Sequence, residues 1–260
     1  MNRTSQLNVI VFSLVIGLLI IGCGPKKGPG TPDPATDPKI DECYMLVEGA
    51  MFNDALPVCA EAVANNPDNF IAQFSYARAL SKTGDIEQSE AVFRKALEID
   101  PESILARMEL ASLLKENNMA NDAITEYLEV LTVRPDYYDA HVALAKSYLE
   151  MKDTAKAVES YKNAMALQPE NEALYLDITD AYRKGRQQTN ARNWLKEASN
   201  QKPESVLIQH AYASLLQTQK RYTSAAAQYA RVAKLKPGYM NAEYHQAVCY
   251  YRAGSLSKAD

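Results

Sequence analysis

The sequence lacks the short motifs that mark the common catalytic sites. No glycine-rich phosphate-binding loop, Gly-x-Ser-x-Gly elbow or His-Glu-x-x-His zinc motif occurs along its 260 residues. Histidine is scarce, with only His141, His210 and His245, and we identify no further ligands that would complete a metal site around them. Asp177 and Asp180 form a carboxylate pair, which a solvated helix face explains more simply than acid–base chemistry. These absences favour a protein that is not an enzyme and needs no cofactor.

An excess of basic residues is also missing. The 28 lysines and arginines are interspersed with 32 acidic residues, which gives a net charge of −4. Binding to nucleic acid depends largely on clustered cations that neutralise phosphates. The composition therefore gives no support for a nucleic-acid partner, and no motif indicates a small-molecule substrate.

Prolines number only twelve, yet six of them stand 34 residues apart. They are Pro67, Pro101, Pro135, Pro169, Pro203 and Pro237. A fixed period of this length indicates stacked repeats, and 34 residues is the length of a two-helix unit. With each proline at position 32, six full units span residues 36–69, 70–103, 104–137, 138–171, 172–205 and 206–239, and a partial seventh spans 240–260.

Small and large residues repeat in the same register. Small residues occupy positions 8, 20 and 27, where two helices approach most closely, as in the set Ala77, Ser89 and Ala96 of the second unit. Leucine or tyrosine occupies position 11, and position 24 holds a large residue from the second unit onward, as in Leu80 and Phe93. Because positions 20, 24 and 27 follow i, i+4, i+7 spacing, each set predicts one face of a helix.

This pattern resembles the tetratricopeptide repeat family, which has a large residue at position 7, small residues at 8, 20 and 27, and proline at 32. The resemblance extends from residue 36 to the C-terminus. It implies an all-α fold, namely a right-handed superhelix of helix–turn–helix repeats whose first helices line a concave groove. An ordinary helical bundle with chance spacing is the alternative interpretation.

Both ends of the repeat array depart from the pattern. Glu42 stands at position 7 of the first unit, and the sequence stops at position 21 of the seventh, before a second helix. Tyr244, Val248 and Tyr251 would give a capping helix an apolar outer face, whereas such a face is normally polar. We therefore expect something to cover this end, unless the gene product is a shortened one.

The N-terminal residues 1–22 read as a lipoprotein signal peptide. A basic start is followed by an apolar stretch from Val9 to Ile21, which is shorter than the roughly 20 residues of a spanning helix. The segment Ile20-Ile21-Gly22-Cys23 resembles a bacterial lipobox. The resemblance implies cleavage before Cys23 and lipidation of this cysteine. An uncleaved anchor and an ordinary secretory signal are the alternatives.

Residues 23–35 contain the lipidated cysteine and a tether. The tether is rich in proline and glycine and has too little apolar surface to form a core. Gly24 follows the cysteine in place of the aspartate that retains lipoproteins at the inner membrane. Resemblance to such sorting signals implies the outer membrane, with the protein facing the periplasm, if the source has two membranes.

Two of the remaining cysteines fall on facing positions of the first unit. Cys43 and Cys59 stand at positions 8 and 24, and in an oxidising compartment a disulfide between them would close a loop of about 16 residues. Two buried free thiols are the alternative. No Cys-x-x-Cys spacing occurs, and we expect Cys249 to be packed in the core.

The concave groove is the predicted binding site. In the family, positions 2, 5, 9 and 12 of the first helix face it, and the candidates at such positions are Ile40, Phe74, Arg78, Leu105, Met108, Val142, Lys146, Leu176, His210 and Tyr244. The family's carboxylate clamp is absent, because Ile40 and Tyr44 stand where it would begin. A mostly apolar groove suits a helix or extended segment of a protein partner. Packing between units is the alternative role for some of these side chains.

Lipobox, tether and about six repeats are together similar to the layout of the pilotin-like lipoproteins that assist type IV pilus secretins. We therefore expect an interaction scaffold that is anchored to the membrane by its lipid and escorts a protein partner. A general periplasmic chaperone or substrate-binding lipoprotein is the alternative function. An enzyme subunit would require a further domain.

Overall fold

A computed structural model describes residues 37–254, which form thirteen α-helices and no strand. The first helix of each pair is α1 (Pro38–Glu48), α3 (Phe70–Thr83), α5 (Ile104–Glu116), α7 (Tyr138–Glu150), α9 (Ala173–Lys184), α11 (Val206–Thr218) and α13 (Ala242–Arg252). The second helix is α2 (Phe52–Asn65), α4 (Ile86–Ile99), α6 (Ala120–Val133), α8 (Thr154–Leu167), α10 (Gln188–Gln201) and α12 (Tyr222–Leu235), and a short 3₁₀ turn covers Tyr239–Asn241. Within residues 37–254, no helix is long and apolar enough to cross a membrane.

Each helix pair turns at one left-handed residue at position 15. This residue has a positive φ, between 57° and 93°, in all seven units: Ala50, Gly84, Asn118, Lys152, Arg186, Lys220 and Gly254. In the first six units the amide of residue 16 donates to the carbonyl of residue 11, as Asp85 donates to Leu80 over 3.0 Å. This is the Schellman arrangement, which ends a helix by satisfying its last carbonyls. Only two of the seven positions carry the glycine that this conformation favours.

The repeated prolines have a second role besides ending the helices. Each lies two residues beyond the last residue of an even-numbered helix, as Pro101 does after Ile99. In four units a side-chain nitrogen at position 4 of the next helix lies 2.7 to 3.2 Å from the proline carbonyl: Gln73, Arg107, His141 and Gln209. The proline ring fixes φ at each of these positions, which restricts the conformations of the segment that carries the carbonyl. In these four places the repeated proline therefore also joins the end of one unit to the first helix of the next.

The core runs along the interface between the two helix layers. The small side chains at positions 20 and 27 are at most 1% exposed throughout the described units, which lets the helix backbones approach closely. Larger side chains such as Phe93, Tyr127, Leu195 and Tyr229 fill the space between them and are also almost completely buried. Each unit therefore packs only on its neighbours, as in other solenoids.

A disulfide fixes the first pair. Cys43 of α1 and Cys59 of α2 are bonded and fully buried, with their Cα atoms 4.9 Å apart. The same unit begins with a capped helix, because Asp37 accepts from the Lys39 amide at 2.9 Å and Pro38 occupies the first helical position. The Asp37 carboxylate also accepts from the Asn66 amide group at 2.8 Å, which joins the start of α1 to the end of α2. Cys249 is a buried free thiol.

Candidate functional site

The odd-numbered helices lie side by side and form one surface, here called the groove. Near the N-terminal end of the groove, Arg78 of α3 connects three of these helices. Its guanidinium binds Glu48 of α1 and lies 3.9 Å from the Glu109 carboxylate of α5. The same guanidinium stacks 5.6 Å above the ring of Phe74. Such contacts stiffen this part of the groove and leave Arg78 engaged within the protein.

Two predicted groove residues belong to the core instead. Ile40 is 2% exposed and packs against the disulfide unit, and Phe74 is 5% exposed and meets the ring of Phe93 edge-on. Each shares a buried cluster with the following odd-numbered helix, Ile40 with Ala72 of α3 and Phe74 with Leu110 of α5. For these two residues the structure favours packing between units over contact with a partner.

Further along, the groove becomes polar and charged. A cavity of about 530 Å³ is lined by Lys115, Lys146, Leu149, Glu150, Tyr161, Asp177, Asp180 and Lys184. The Lys115 ammonium lies 3.7 Å from the Glu150 carboxylate, which links α5 to α7. Burial raises the pKa of Asp177, while the charge of the nearby Lys146 acts in the opposite direction. This part of the groove can pair with charges of either sign on a partner.

The groove next opens into an apolar cavity of about 320 Å³. Its walls come mainly from α9 and α11, with one side chain each from α10 and the 3₁₀ turn. The hydrophobic side chains are Leu176, Leu195, Leu207, Leu215 and Met240. Polar groups of Asp180, Arg183 and Ser214 stand among them. A mainly apolar cavity with a few polar groups is suited to hold one large side chain of a partner and to orient the backbone around it.

His210 forms one wall of this cavity as part of an aromatic cluster. The ring of His210 lies edge-on to the rings of Tyr229 and Tyr239, with ring centres 5.7 Å apart in each pair. The ring of His245 stacks on that of Tyr229, with ring centres 5.2 Å apart. The Nε2 atom of His210 is buried and has no hydrogen-bond partner among the described residues. Burial first, and the neighbouring His245 second, hold the pKa of His210 below its usual value. The imidazole is therefore a largely neutral, apolar wall at pH 7.

The other predicted groove residues differ widely in exposure. Leu105 and Tyr244 are 55% and 66% exposed, and Lys146 is exposed as well. Met108 and Val142 are half-buried and pack partly on the core. The structure thus gathers Leu176 and His210 in one cavity and leaves Leu105 of the third unit and Tyr244 of the seventh on open surface.

Other predictions from the sequence concern residues outside the groove. Cys23 lies outside the described residues, as does the tether. Within residues 37–254 no three histidine, cysteine, aspartate or glutamate side chains are grouped to hold a metal ion. His210 and His245 both contact the ring of Tyr229, the first edge-on and the second stacked on it.

Sequence reasoning missed the mixed charges of the groove centre. Lys115 stands at position 12 of its unit, which the repeat register assigns to the groove, whereas Lys184 stands at position 13, which it does not. It also missed Met240, which enters the apolar cavity because residues 239–241 leave the helical path, with φ of 45° at Met240. No repeat pattern signals that departure.

The fold and the groove define an α-helical repeat scaffold. Family models of the tetratricopeptide repeat match residues 48–104, 108–172 and 211–259, and a further model of the same repeat matches residues 148–215. The chain therefore belongs to the tetratricopeptide repeat family. Proteins of this family bind peptide partners in their grooves and are generally not enzymes, and this chain is a protein–protein interaction scaffold.

Solved structures share the fold at low sequence identity. MamA superposes with a TM-score of 0.57 and 19% identity over 64% of this chain and 91% of its own. A tetratricopeptide repeat protein from Parabacteroides merdae has a TM-score of 0.57 at 14% identity, over 85% of this chain and 88% of its own. The pilF protein of Pseudomonas aeruginosa has a TM-score of 0.53 at 19% identity, over 82% of this chain and 96% of its own. No curated protein matches the chain.

Proposed function

We propose that the protein is a lipid-anchored scaffold of the outer membrane that faces the periplasm and holds an apolar segment of a partner protein in its groove. The candidate client is a subunit of an outer-membrane complex, with a type IV pilus secretin as the first to test. Escort is the proposed activity: the groove covers an apolar segment of the client while the acyl chains at Cys23 hold the pair at the membrane.

The apolar cavity between α9 and α11 is the observation that carries the groove part of the proposal. A pocket of about 320 Å³ holds a large side chain, and its hydrophobic walls favour an apolar one. The charged groups of the neighbouring cavity would pair with polar groups on either side of that anchor. An amphipathic helix or extended segment presents this combination.

The sequence supports the membrane part. The lipobox at Cys23 and the proline- and glycine-rich tether are similar to those of the pilotin-like lipoproteins. The fold shared with pilF of Pseudomonas aeruginosa is consistent with that layout. Two or more acyl chains would make the attachment stable, whereas a single chain gives only reversible binding.

The groove is tested with charges placed in the apolar cavity. Leu207→Glu combined with Met240→Glu puts two carboxylates where an apolar anchor would sit, at side chains that are at least partly accessible. The matched control is Leu128→Glu with Leu167→Glu, which alters exposed leucines of the even-numbered helices. We expect crosslinking in whole cells to recover the secretin subunit in stoichiometric amount with the wild type and the control, and not with the cavity variant.

Capture that survives in the cavity variant would refute the groove as the binding site. Recovery of many unrelated proteins, with suppression of their aggregation, would indicate a general chaperone instead of a dedicated scaffold. Anchoring is tested separately: Cys23→Ser should abolish labelling with palmitate and release the protein from the membrane fraction. Palmitate labelling that persists in this variant would exclude the lipobox cysteine.

A further inference from the structure

The turns that follow α9, α11 and α13 form a row of cations that make no salt bridge within residues 37–254, here called the basic edge. Residues 184–187, 218–221 and 252–254 contain five cations and no carboxylate: Lys184, Arg186, Lys220, Arg221 and Arg252. The corresponding turns of the first four units each include an acidic residue, such as Glu48 or Asp85. Turns with cations and no carboxylate are therefore confined to the last three units of a chain whose net charge is −4.

Direct contacts join these turns into one surface. Gln219 in the turn of the sixth unit donates from its side chain to the carbonyl of Gln188, at the start of α10, over 3.1 Å. The guanidinium of Arg252 lies 5.8 Å from the ring centre of Tyr222, at the start of α12. Because each turn touches the helix that begins at the preceding turn, the five cations lie along a continuous edge.

The charge of the basic edge is available for a ligand. All five side chains belong to exposed residues, and none forms a salt bridge in residues 37–254. Lys184 also lines the charged cavity of the groove and acts on the Asp177 carboxylate, whereas the other four cations lie outside that cavity. Nearby Arg183 differs, because it pairs with Asp180 at 3.0 Å. An unneutralised row of like charges costs self-repulsion, which an anionic surface would relieve.

Two helix N-termini reinforce the positive potential. Helices α10 and α12 both begin on this edge, and neither has an acidic residue in its first turn or a side-chain cap. The first amide groups of a helix carry a partial positive charge, which an acidic side chain usually offsets. Here they add to the lysines and arginines.

The composition of the edge fits a lipid surface better than a protein. Turns 184–187 and 218–221 have no exposed large apolar side chain, whereas a stable protein interface needs an apolar centre. Binding to an anionic bilayer needs only cations near the headgroups, each of which contributes independently. Tyr251, beside Arg252, is 67% exposed and is a residue type that lies well at the bilayer surface.

We propose that the basic edge rests on the anionic bilayer to which the protein is tethered, with its cations on lipid phosphates. This inference depends on the proposed anchoring for the nearness of the membrane. An extended tether of residues 24–36 reaches at most about 45 Å, so the repeats remain close to the bilayer. Contact through the edge would hold the solenoid in one orientation and give its groove a fixed presentation to the client.

Vesicle binding by the full chain tests the edge. The edge variant carries Arg186→Gln, Lys220→Gln, Arg221→Gln and Arg252→Gln, and leaves Lys184 unchanged because it also lines the groove. The control variant removes the same charge from exposed lysines of the even-numbered helices: Lys95→Gln, Lys162→Gln, Lys196→Gln and Lys234→Gln. Co-sedimentation is measured with phosphatidylcholine vesicles and with vesicles that also contain phosphatidylglycerol. Every protein in this comparison carries Cys23→Ser, so that no acyl chain attaches it to the vesicles. The rest of the N-terminal segment is the same in all of them, so differences between variants report the repeats.

The wild type should bind vesicles that contain phosphatidylglycerol more tightly than vesicles of phosphatidylcholine alone. We expect this difference in affinity to fall by up to about fivefold for each cation removed from the edge, and to be weakened by salt. The control should keep its binding. Equal losses in both variants would show that only net charge matters, and no loss in the edge variant would show that lipid is not the ligand; either result overturns the proposal. The Leu207→Glu, Met240→Glu variant should bind vesicles normally, so failure of the groove hypothesis would not be mistaken for failure of the edge.

Discussion

At position 15 of the repeat, replacing another residue by glycine should raise the free energy of unfolding, and replacing glycine by alanine should lower it. Ala50 adopts a φ of 57° at the turn of the first pair, and Gly84 adopts 93° at the same turn of the second. An L-residue in the left-handed region is less stable by about 1–2 kcal/mol because its Cβ crowds the following carbonyl. Glycine avoids this strain, but its greater freedom in the unfolded chain offsets part of the gain, by about 0.5–1 kcal/mol.

The net effect should therefore be about 0.5–1 kcal/mol at each site. Ala50→Gly should stabilise the protein by this amount, and Gly84→Ala should destabilise it similarly. At Gly84 no atom lies within 4 Å of the position of an added Cβ, so no steric contact contributes to the loss. Lys152→Gly should resemble Ala50→Gly, because its φ is 61°.

Equilibrium unfolding in urea, followed by circular dichroism, measures these differences. For a domain of this size about 1 kcal/mol corresponds to roughly 2–4 °C in melting temperature, which a thermal scan also resolves. Slopes against urea must be compared, since repeat proteins unfold in parts and a changed slope would signal lost cooperativity. A neutral Gly84→Ala together with a destabilising Ala50→Gly would refute the argument from backbone conformation.

Three further predictions concern single contacts. Replacing Cys43 and Cys59 by alanine should lower stability by about 3 kcal/mol, and hydrogen exchange should show the loss in α1 and α2; an unchanged exchange rate there would contradict a local role. Gly185→Ala would place its Cβ 2.2 Å from Oγ1 of Thr154, so unfolding in urea should show a loss of about 1–3 kcal/mol, partly recovered by Thr154→Ala. Because burial lowers the pKa of His210 in the folded state, the unfolded chain binds a proton more readily, and stability should fall as the pH drops below about 6.5. Urea unfolding of His210→Phe at two pH values should show a weaker dependence, and an identical one would exclude this imidazole.

The repeat register predicted most of the fold. The all-helical stack follows from the prolines because each ends a helix, and the buried small residues at positions 20 and 27 follow from the close approach of the helices. The start of α1 follows local rules alone, with Asp37 as the N-cap and Pro38 at the first helical position. These features depend on a few neighbouring residues, which is why the sequence is sufficient for them.

The details of the groove were less predictable. Phe74 has the register of a groove residue, yet the adjacent α5 and the ring of Phe93 bury it, and such burial depends on how closely consecutive units stack. Met240 contributes to a cavity through a local irregularity of the backbone, which the helical period does not encode. The basic edge could have been read from the sequence, because its members share positions 13–16, but only contacts such as Gln219 to Gln188 show that successive turns touch.

The cross-linked first pair also has a mechanical consequence. If the protein is held at the membrane by its tether while a client pulls on the groove, the load enters the folded chain at Asp37. A solenoid would normally yield from that end, one helix at a time, because each unit is held only by its neighbour. Here Cys43 is bonded to Cys59, so peeling from the tether side stops after the first turn of α1. The disulfide then transmits the force directly into α2, so the first helix pair resists unfolding from the tether side.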